Sequence, residues 1–356
     1  MASSAEVSSA PGRGFVSAQQ VAERAGVSRS AVSRAFTPGA SIAEETREKV
    51  MRAAGELGYQ VNDLARGLLA NRSRLVGLVV TKPEVGFRAH LVAALTRILI
   101  RRGNIPFLIN TGSSEQEVQA AQTALFGYRA EATIILSGSP PSSFVELARQ
   151  NGQPLVVIGR SEPDCDHVGI DNAGTARQAA SLFVGHGLRR LGLAGSASGT
   201  PTIAEREQVF VDEARRLGAR VVVARGKDSD YAGGSEAARV LFDQPERPQA
   251  VFCVNDLIAL GLLDTVRGRF GLRVPDDVSV IGFDDIPEAS WGAYDLTTFR
   301  QDPDEIAASA VAHLDRRLAH PDAPPSTTFL GAPLVVRGTT LPGRTPRPAP
   351  QSEQSS

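Results

Sequence analysis

The chain of 356 residues carries 38 Lys/Arg against 39 Asp/Glu, is 42% hydrophobic and only 5% aromatic. That length is more than one core ordinarily serves and suits two or three domains, while the near-zero net charge excludes a protein that is basic throughout. Two cysteines, Cys165 and Cys253, exclude a disulfide framework and a cysteine-based zinc site and suit a reducing cytosol.

The charge is not evenly spread. Residues 1–75 hold ten Lys/Arg against seven Asp/Glu, and the remainder 28 against 32, a short anion-binding head on a mildly acidic body. No apolar run approaches the roughly 20 residues that span a bilayer. The opening MASSAEVSSAPGRG lacks the hydrophobic segment of a signal peptide. A cytoplasmic location without membrane contact is expected. Residues 1–14 and 342–356, rich in Ser, Ala, Gly, Pro and Gln, read as disordered tails.

Residues 15–61 read as a compact three-helix unit. Ser17 can cap a first helix that runs to Ala25, Gly26 supplies a tight turn, and Ser28 can cap a second helix that leaves Arg29 and Ser30 on its first turn. A third helix, 44–57, places Val50, Ala53, Ala54 and Leu57 on one face and stops at Gly58. Ala43 stands where its capping hydroxyl would be, unless Ser41 substitutes. Two helices joined by so tight a turn form a helix-turn-helix, whose second helix reads bases in the DNA major groove. Arg29 and Arg34 can each bond a guanine edge or a phosphate, and Ser30 and Ser33 are less discriminating donors. The alternative for any single arginine is a solvated helix surface; here the turn favours DNA. Residues 62–74 read as a linker that Asn62 can cap as a helix, with Leu64, Ala65 and Leu68 on one side and Gly67 weakening it by about 1 kcal/mol relative to Ala.

From Leu75 the rhythm changes. Near-continuous apolar runs at 75–80, 105–110, 132–137, 154–159, 190–195, 219–224, 249–254 and 278–283 alternate with amphipathic stretches near 88–102, 115–127, 142–151, 173–187, 203–218, 233–243 and 256–270. Such strands belong to parallel sheets covered on both faces. A closed barrel and two doubly wound halves fit that rhythm alike. Polar residues follow directly on buried runs: Arg160, Asn255 with Asp256, Asp284, and Asp171 with Asn172, while Arg206 opens a helix. These are candidates for a cleft at the strand ends, although Asp171 and Asp256 read equally well as helix caps. Catalysis finds little support. Asp284 and Asp285 are adjacent and point apart on a strand end, no Gly-flanked nucleophilic Ser occurs, and His167, His186 and His313 are scattered. An enzyme, a metal site and a bound cofactor are not expected.

Two N-terminal segments, VAERAGVSRSAVSRAF and EETREKVMRAAGELGYQVNDLARGLL, resemble the LacI-type (lac repressor/GalR-like) family of bacterial transcription regulators. The landmarks VGIDN (168–172), HGLRRLGLAG (186–195), ER (205–206), VFCVNDLIALG (251–261), VPDDVSVIGFDD (274–285) and LTTFRQD (296–302) extend the resemblance in order through the body. It implies an α/β protein: a helix-turn-helix head, a hinge helix over 62–74, and two doubly wound parallel-sheet subdomains of the periplasmic-binding-protein type. These would span about 75–171 plus 300–325, and 172–299 plus 326–341.

By the same resemblance, Ser17, Ser28, Arg29, Ser30, Ser33 and Arg34 meet DNA from the head, and Asn62, Ala65 and Leu68 from a hinge that wedges Leu68 into the minor groove. Phe87, Arg160, Arg206, Asn255, Asp284 and Trp291 would contact an effector between the subdomains. The implied partners are a pseudo-palindromic operator, a second copy of the chain, and a sugar that switches repression, with induction as the expected sign and corepression as the alternative. Departures are visible. Thr37 replaces a usual Asn, Val61 a Pro, Val209 a Gly, and Val85-Gly86 an Asn-Pro. They leave a nucleobase or another metabolite open as the effector. A periplasmic binding protein would share the body, but it would carry a signal peptide, which the opening residues do not resemble, and no helix-turn-helix head. No Leu-rich heptad tail follows the body, which favours a dimer over a tail-tethered tetramer.

Overall fold

The computed structural model describes residues 15–37, 39–61, 73–112, 114–136, 142–160 and 165–340. The expected tails and the hinge residues Asn62, Ala65 and Leu68 lie outside the described residues. The chain forms two compact units, Met1–Ser73 and Arg74–Ser356.

In the first unit, three helices form as their boundary residues dictate. α1 (Ala18–Ala25) opens on a capping box: the Gln20 amide N–H donates to Ser17 Oγ while Gln20 Oε1 accepts from the Ser17 N–H. It ends at Gly26, whose φ of 66° would strain a side-chain-bearing residue. α2 (Arg29–Ala35) is capped by Ser28, which accepts from the Ala31 N–H at 3.2 Å. α3 (Glu44–Leu57) begins at Ala43 with no side-chain cap, so Ser41 does not substitute for the missing hydroxyl. The helices bury Val21, Ala22, Val32, Ala35, Val50, Ala53 and Ala54 in a small core, with the Phe36 and Tyr59 rings 5.5 Å apart at its edge. Arg47 on α3 donates to the carbonyls of Ala35 and Ala40 at 2.6 and 3.3 Å, which satisfies oxygens left open beyond the end of α2.

The second unit alternates strands and helices: β1 (Leu75–Val80), α4 (Phe87–Arg101), β2 (Ile105–Asn110), α5 (Glu115–Gly127), β3 (Ala132–Ile135), α6 (Ser142–Gln150), β4 (Leu155–Ile158) and β5 (Asp166–Ile170). It continues with α7 (Asn172–Gly185), β6 (Arg190–Ser196), α8 (Pro201–Arg216), β7 (Arg220–Gly226), α9 (Tyr231–Phe242), β8 (Ala250–Cys253), α10 (Asp256–Gly268) and β9 (Ser279–Asp284). After a short 3-10 turn, Pro287–Ser290, come β10 (Thr297–Arg300), α11 (Pro303–Ala319), β11 (Thr327–Leu330) and β12 (Leu334–Val335).

Two six-stranded sheets result, ordered β2-β1-β3-β4-β5-β11 and β7-β6-β8-β9-β10-β12. That excludes the barrel. Every pairing is parallel except β10 with β12. β1 shows why the strands read as unbroken apolar runs: Val76, Leu78 and Val80 face one core with Leu91, Leu95 and Leu99 of α4, and Leu75 and Val79 face another with Leu125 and Phe144. The chain passes between the sheets three times, after Ile170, after Arg300 and after Leu330. The last passage corrects the expected boundary at 326. β11 pairs with β5 in the first sheet, so 326–330 belong with the first subdomain and only the residues from β12 onward with the second.

Candidate functional site

The head presents one polar face. On α2, Val32 and Ala35 point into the core, and the opposite residues Arg29, Ser30, Ser33 and Arg34 are all exposed. Their backbone is fixed from both ends, by the Ser28 cap and by Thr37, whose hydroxyl donates to the Ser33 carbonyl at 2.8 Å. Ser28 and Ser30 share a hydroxyl contact of 2.9 Å. Arg34 Nε reaches back to the Ser30 carbonyl at 3.4 Å, and neither Arg29 nor Arg34 forms an ion pair within the described residues. Two cationic forks on one rigid helical face, with no carboxylate beside them, form a surface suited to phosphate and guanine edges. Ser17 and Ser28 are exposed as well, with their hydroxyls engaged in capping.

In the body, a cleft with a volume of about 110 Å³, partly open to solvent, lies where strands of both sheets end. Apolar walls come from Phe87 and Leu91 of α4, Ile158, Ile170, Ile203 and Leu257. Polar groups converge from separate elements. Arg206, on the second turn of α8, is only 6% exposed, and burial pushes its guanidinium down to about 10. Its Nη1 donates to Asn172 Oδ1 at 2.7 Å, its guanidinium lies 4.0 Å over the Phe283 ring, and its Nε has no partner among the described residues. Asn172, the first residue of α7, in turn donates to Glu205 at 3.1 Å. Asp284 closes β9 with φ of 131° and accepts from Gln301 Nε2 at 2.6 Å. Burial raises its carboxyl above the usual range.

The six effector candidates separate. Phe87, Arg206, Asn255 and Asp284 all line the cleft. Asn255 is already heavily used: its Oδ1 accepts from the Ile258 N–H and caps α10, and its Nδ2 donates to the Ser229 carbonyl. Arg160 is off the cleft wall, which Ile158 and Gly159 form, because Gly159 turns the chain with φ of 92°. Trp291 is 54% exposed just past the 3-10 turn and does not line the cleft either.

The two ambiguous acids resolve differently. Asp171 caps α7 by accepting from the Gly174 N–H at 2.7 Å. Asp256 caps nothing, since Asn255 holds that position. Fully buried, Asp256 instead accepts from Thr298 Oγ1 at 2.5 Å and from the Ile286 N–H at 3.0 Å, stitching α10 to the β9–β10 connection. Asp285 points away from the cleft and pairs with Arg300 and Arg337, both at 2.6 Å.

Arg88, Asn172, Ser229 and Gln301 also line the cleft and were not singled out as contacts from the sequence. Ser229 follows β7 and Gln301 follows β10, so the same polar-after-strand pattern would have found them. Beside the cleft, Lys82 beyond β1 and Asp228 beyond β7 form an ion pair that links the two subdomains. Among the described residues no cluster of His, Cys, Asp or Glu is suited to hold a metal, and no helix is long and apolar enough to cross a membrane.

Comparison with known proteins places these features in context. Residues 18–62 match the family model "Bacterial regulatory proteins, lacI family", and residues 180–340 match "Periplasmic binding protein-like domain". The HTH-type transcriptional repressor PurR of Mannheimia succiniciproducens is 28% identical over 90% of this chain and 97% of its own length. The HTH-type transcriptional repressor CytR of Escherichia coli K12 is 28% identical over 90% of this chain and 95% of its own. Among solved structures, the lac repressor dimer bound to operator and the anti-inducer ONPF superposes with a TM-score of 0.83 at 25% identity, covering 92% of this chain and all of that one. A complex of the transcriptional regulator CelR with cellobiose gives 0.68 at 28% identity, covering 91% of this chain and 99% of that one.

Proposed function

Because this chain belongs to the lacI family of bacterial regulatory proteins and is a DNA-binding transcriptional regulator rather than an enzyme, we propose that it works in the cytoplasm as a homodimeric repressor switched by a sugar. Two heads related by a two-fold axis meet the two halves of a pseudo-palindromic operator. Arg29, Ser30, Ser33 and Arg34 contact bases and phosphates, Ser17 and Ser28 lie at the phosphate-facing helix starts, and Asn62, Ala65 and Leu68 act in the hinge.

The observation that carries this reading is the capped α2 helix, with an apolar side in the head core and a fully exposed side bearing two arginines without carboxylate partners. The effector reading is supported by a cleft that pairs apolar walls with Arg206, Asp284 and Gln301, groups able to grip several hydroxyls at once. The cellobiose held by the CelR relative points the same way. The ligand acts by binding one arrangement of the subdomains better than the other; without that difference no shift in operator affinity can occur. Induction is the sign proposed.

Fluorescence anisotropy with a duplex taken from upstream of the protein's own gene tests both halves. Arg29→Ala and Arg34→Ala are expected to weaken specific binding by about tenfold each, or 1–3 kcal/mol for a lost guanine contact. A panel of sugars and nucleobases, titrated into the complex, should contain a sugar that releases it. Release by a nucleobase alone would overturn the sugar assignment, and unchanged binding by both arginine variants would overturn the interface.

A further inference from the structure

The residues that line the cleft carry more cationic than anionic side chains. Arg88, at the start of α4, lines it together with Arg206. Its Nη1 donates to the Thr81 carbonyl at 2.8 Å, which fixes the side chain, and it forms no ion pair among the described residues. Of the acids whose field reaches it, Asp228 pairs with Lys82, Glu84 is exposed, and Asp284, which accepts from the neutral Gln301 amide, is shared with Arg206. Arg206 bonds a neutral amide and keeps a buried Nε without an acceptor. Two guanidinium groups thus line the cleft against one carboxylate, while Glu205 and Glu207, which also act on Arg206, lie outside the lining and are engaged by Asn172 and Arg225; withdrawing a cation from water without a close partner is costly. A ligand that brings its own negative charge removes that cost, and a guanidinium fork fits carboxylate and phosphate alike.

We propose that the effector is an anionic sugar, a polyhydroxylated ring bearing a carboxylate or a phosphate, and that Arg88 selects it by pairing with that group. The proposal rests on the reading of the cleft as a sugar-effector site and adds the charge. Asp284 and Gln301 hold the hydroxyls, Phe87 and Leu91 cover the apolar face of the ring, and Arg88 and the free Nε of Arg206 take the anion.

Isothermal titration of the full-length protein with matched series tests it: ribose and ribose 5-phosphate; glucose, glucuronate and glucose 6-phosphate; galactose, galacturonate and galactose 6-phosphate. In whichever series binds, an anionic member should bind at least tenfold more tightly than its neutral parent, with the gap narrowing as salt rises. The uronate and phosphate arms identify the anion. Arg88→Gln should bring the anionic-to-neutral ratio to within about threefold, and Arg88→Lys should restore part of it, with thermal unfolding confirming that both variants fold. A neutral sugar that binds as tightly as its anionic partner while still shifting operator affinity would overturn the charge assignment alone. A ratio that survives Arg88→Gln would overturn the role of Arg88. Failure of every sugar to bind or to shift operator affinity would overturn the parent reading with it.

Discussion

Replacing Ala43 by Ser isolates one missing hydrogen bond in the head. α1 and α2 each start on a serine that accepts a backbone N–H, whereas α3 starts on Ala43 with nothing to receive the Thr46 N–H from the side chain. Ala43 already has the extended backbone of a capping residue, φ −62° and ψ 137°, so serine fits without rearrangement. The Thr46 N–H makes only a turn bond to the Ala43 carbonyl at 3.0 Å, and Glu44 and Glu45 in the first turn offset part of the helix dipole. The gain from a side-chain cap is about 1 kcal/mol. Because α3 packs on both other helices, the whole head shares it. Hydrogen exchange of the full-length protein reads the effect directly: amides of residues 44–57 should exchange about fivefold more slowly in Ala43→Ser. Ser17→Ala should quicken exchange in α1 by a similar factor, since it removes a capping box. Unchanged exchange in Ala43→Ser, with Ser17→Ala clearly faster, would show that the start of α3 is satisfied by other means and refute the reasoning.

The remaining predictions concern the body and the hinge. Burial raises the carboxyls of Asp256 and Asp284, so between the ordinary carboxylate range and neutrality the folded state holds more protons than the unfolded one. Their contribution is therefore present at acid pH and lost as pH rises, and Asp284→Asn should flatten the fall in melting temperature between about pH 5 and 8; an unchanged slope would contradict this. Lys82 and Asp228 are 52% and 36% exposed, so Lys82→Ala should change effector affinity by less than about fivefold, the worth of an exposed pair below about 1 kcal/mol, and salt should erase the difference. A larger effect that persists in salt would mean more than an exposed pair joins the subdomains. A Cβ at Gly234 would overlap the Ile258 carbonyl oxygen where α9 crosses α10, so Gly234→Ala should destabilise the body by about 3 kcal/mol in urea unfolding, and a neutral result would disprove the tight crossing. Leu68→Ala should abolish most specific operator binding and leave effector binding intact; unchanged operator affinity would refute the hinge assignment.

The fold was legible where one residue dictates one local geometry. Ser17, Gly26, Ser28 and Gly58 bound the head helices where their chemistry requires, and the unbroken apolar runs mark the buried parallel strands. The final third was harder. β11 and β12 are four and two residues long and only half-buried, so no apolar run announces them, and the return of 326–330 to the first sheet depends on pairing with β5, a contact about 160 residues away in sequence. In the cleft, the pattern of a polar residue just beyond a strand leads to Asp284, which lines it, and equally to Arg160, which does not; the sequence does not show the turn at Gly159 between strand and side chain. Trp291 suits stacking by residue type alone, yet it sits just past the 3-10 turn, 54% exposed and outside the cleft lining. Which hydrogen-bonding groups are free to meet a ligand is a tertiary property: Asn255 spends its amide on a cap and a carbonyl, while Arg206 keeps a donor unspent.

Recovery of genomic fragments by the purified full-length protein, without added small molecules and against an excess of random duplex, tests the DNA-binding reading most directly. The expected result is enrichment of fragments sharing a two-fold-symmetric sequence, lost in Arg29→Ala/Arg34→Ala. Recovery of genomic and random duplex in equal proportion would contradict it.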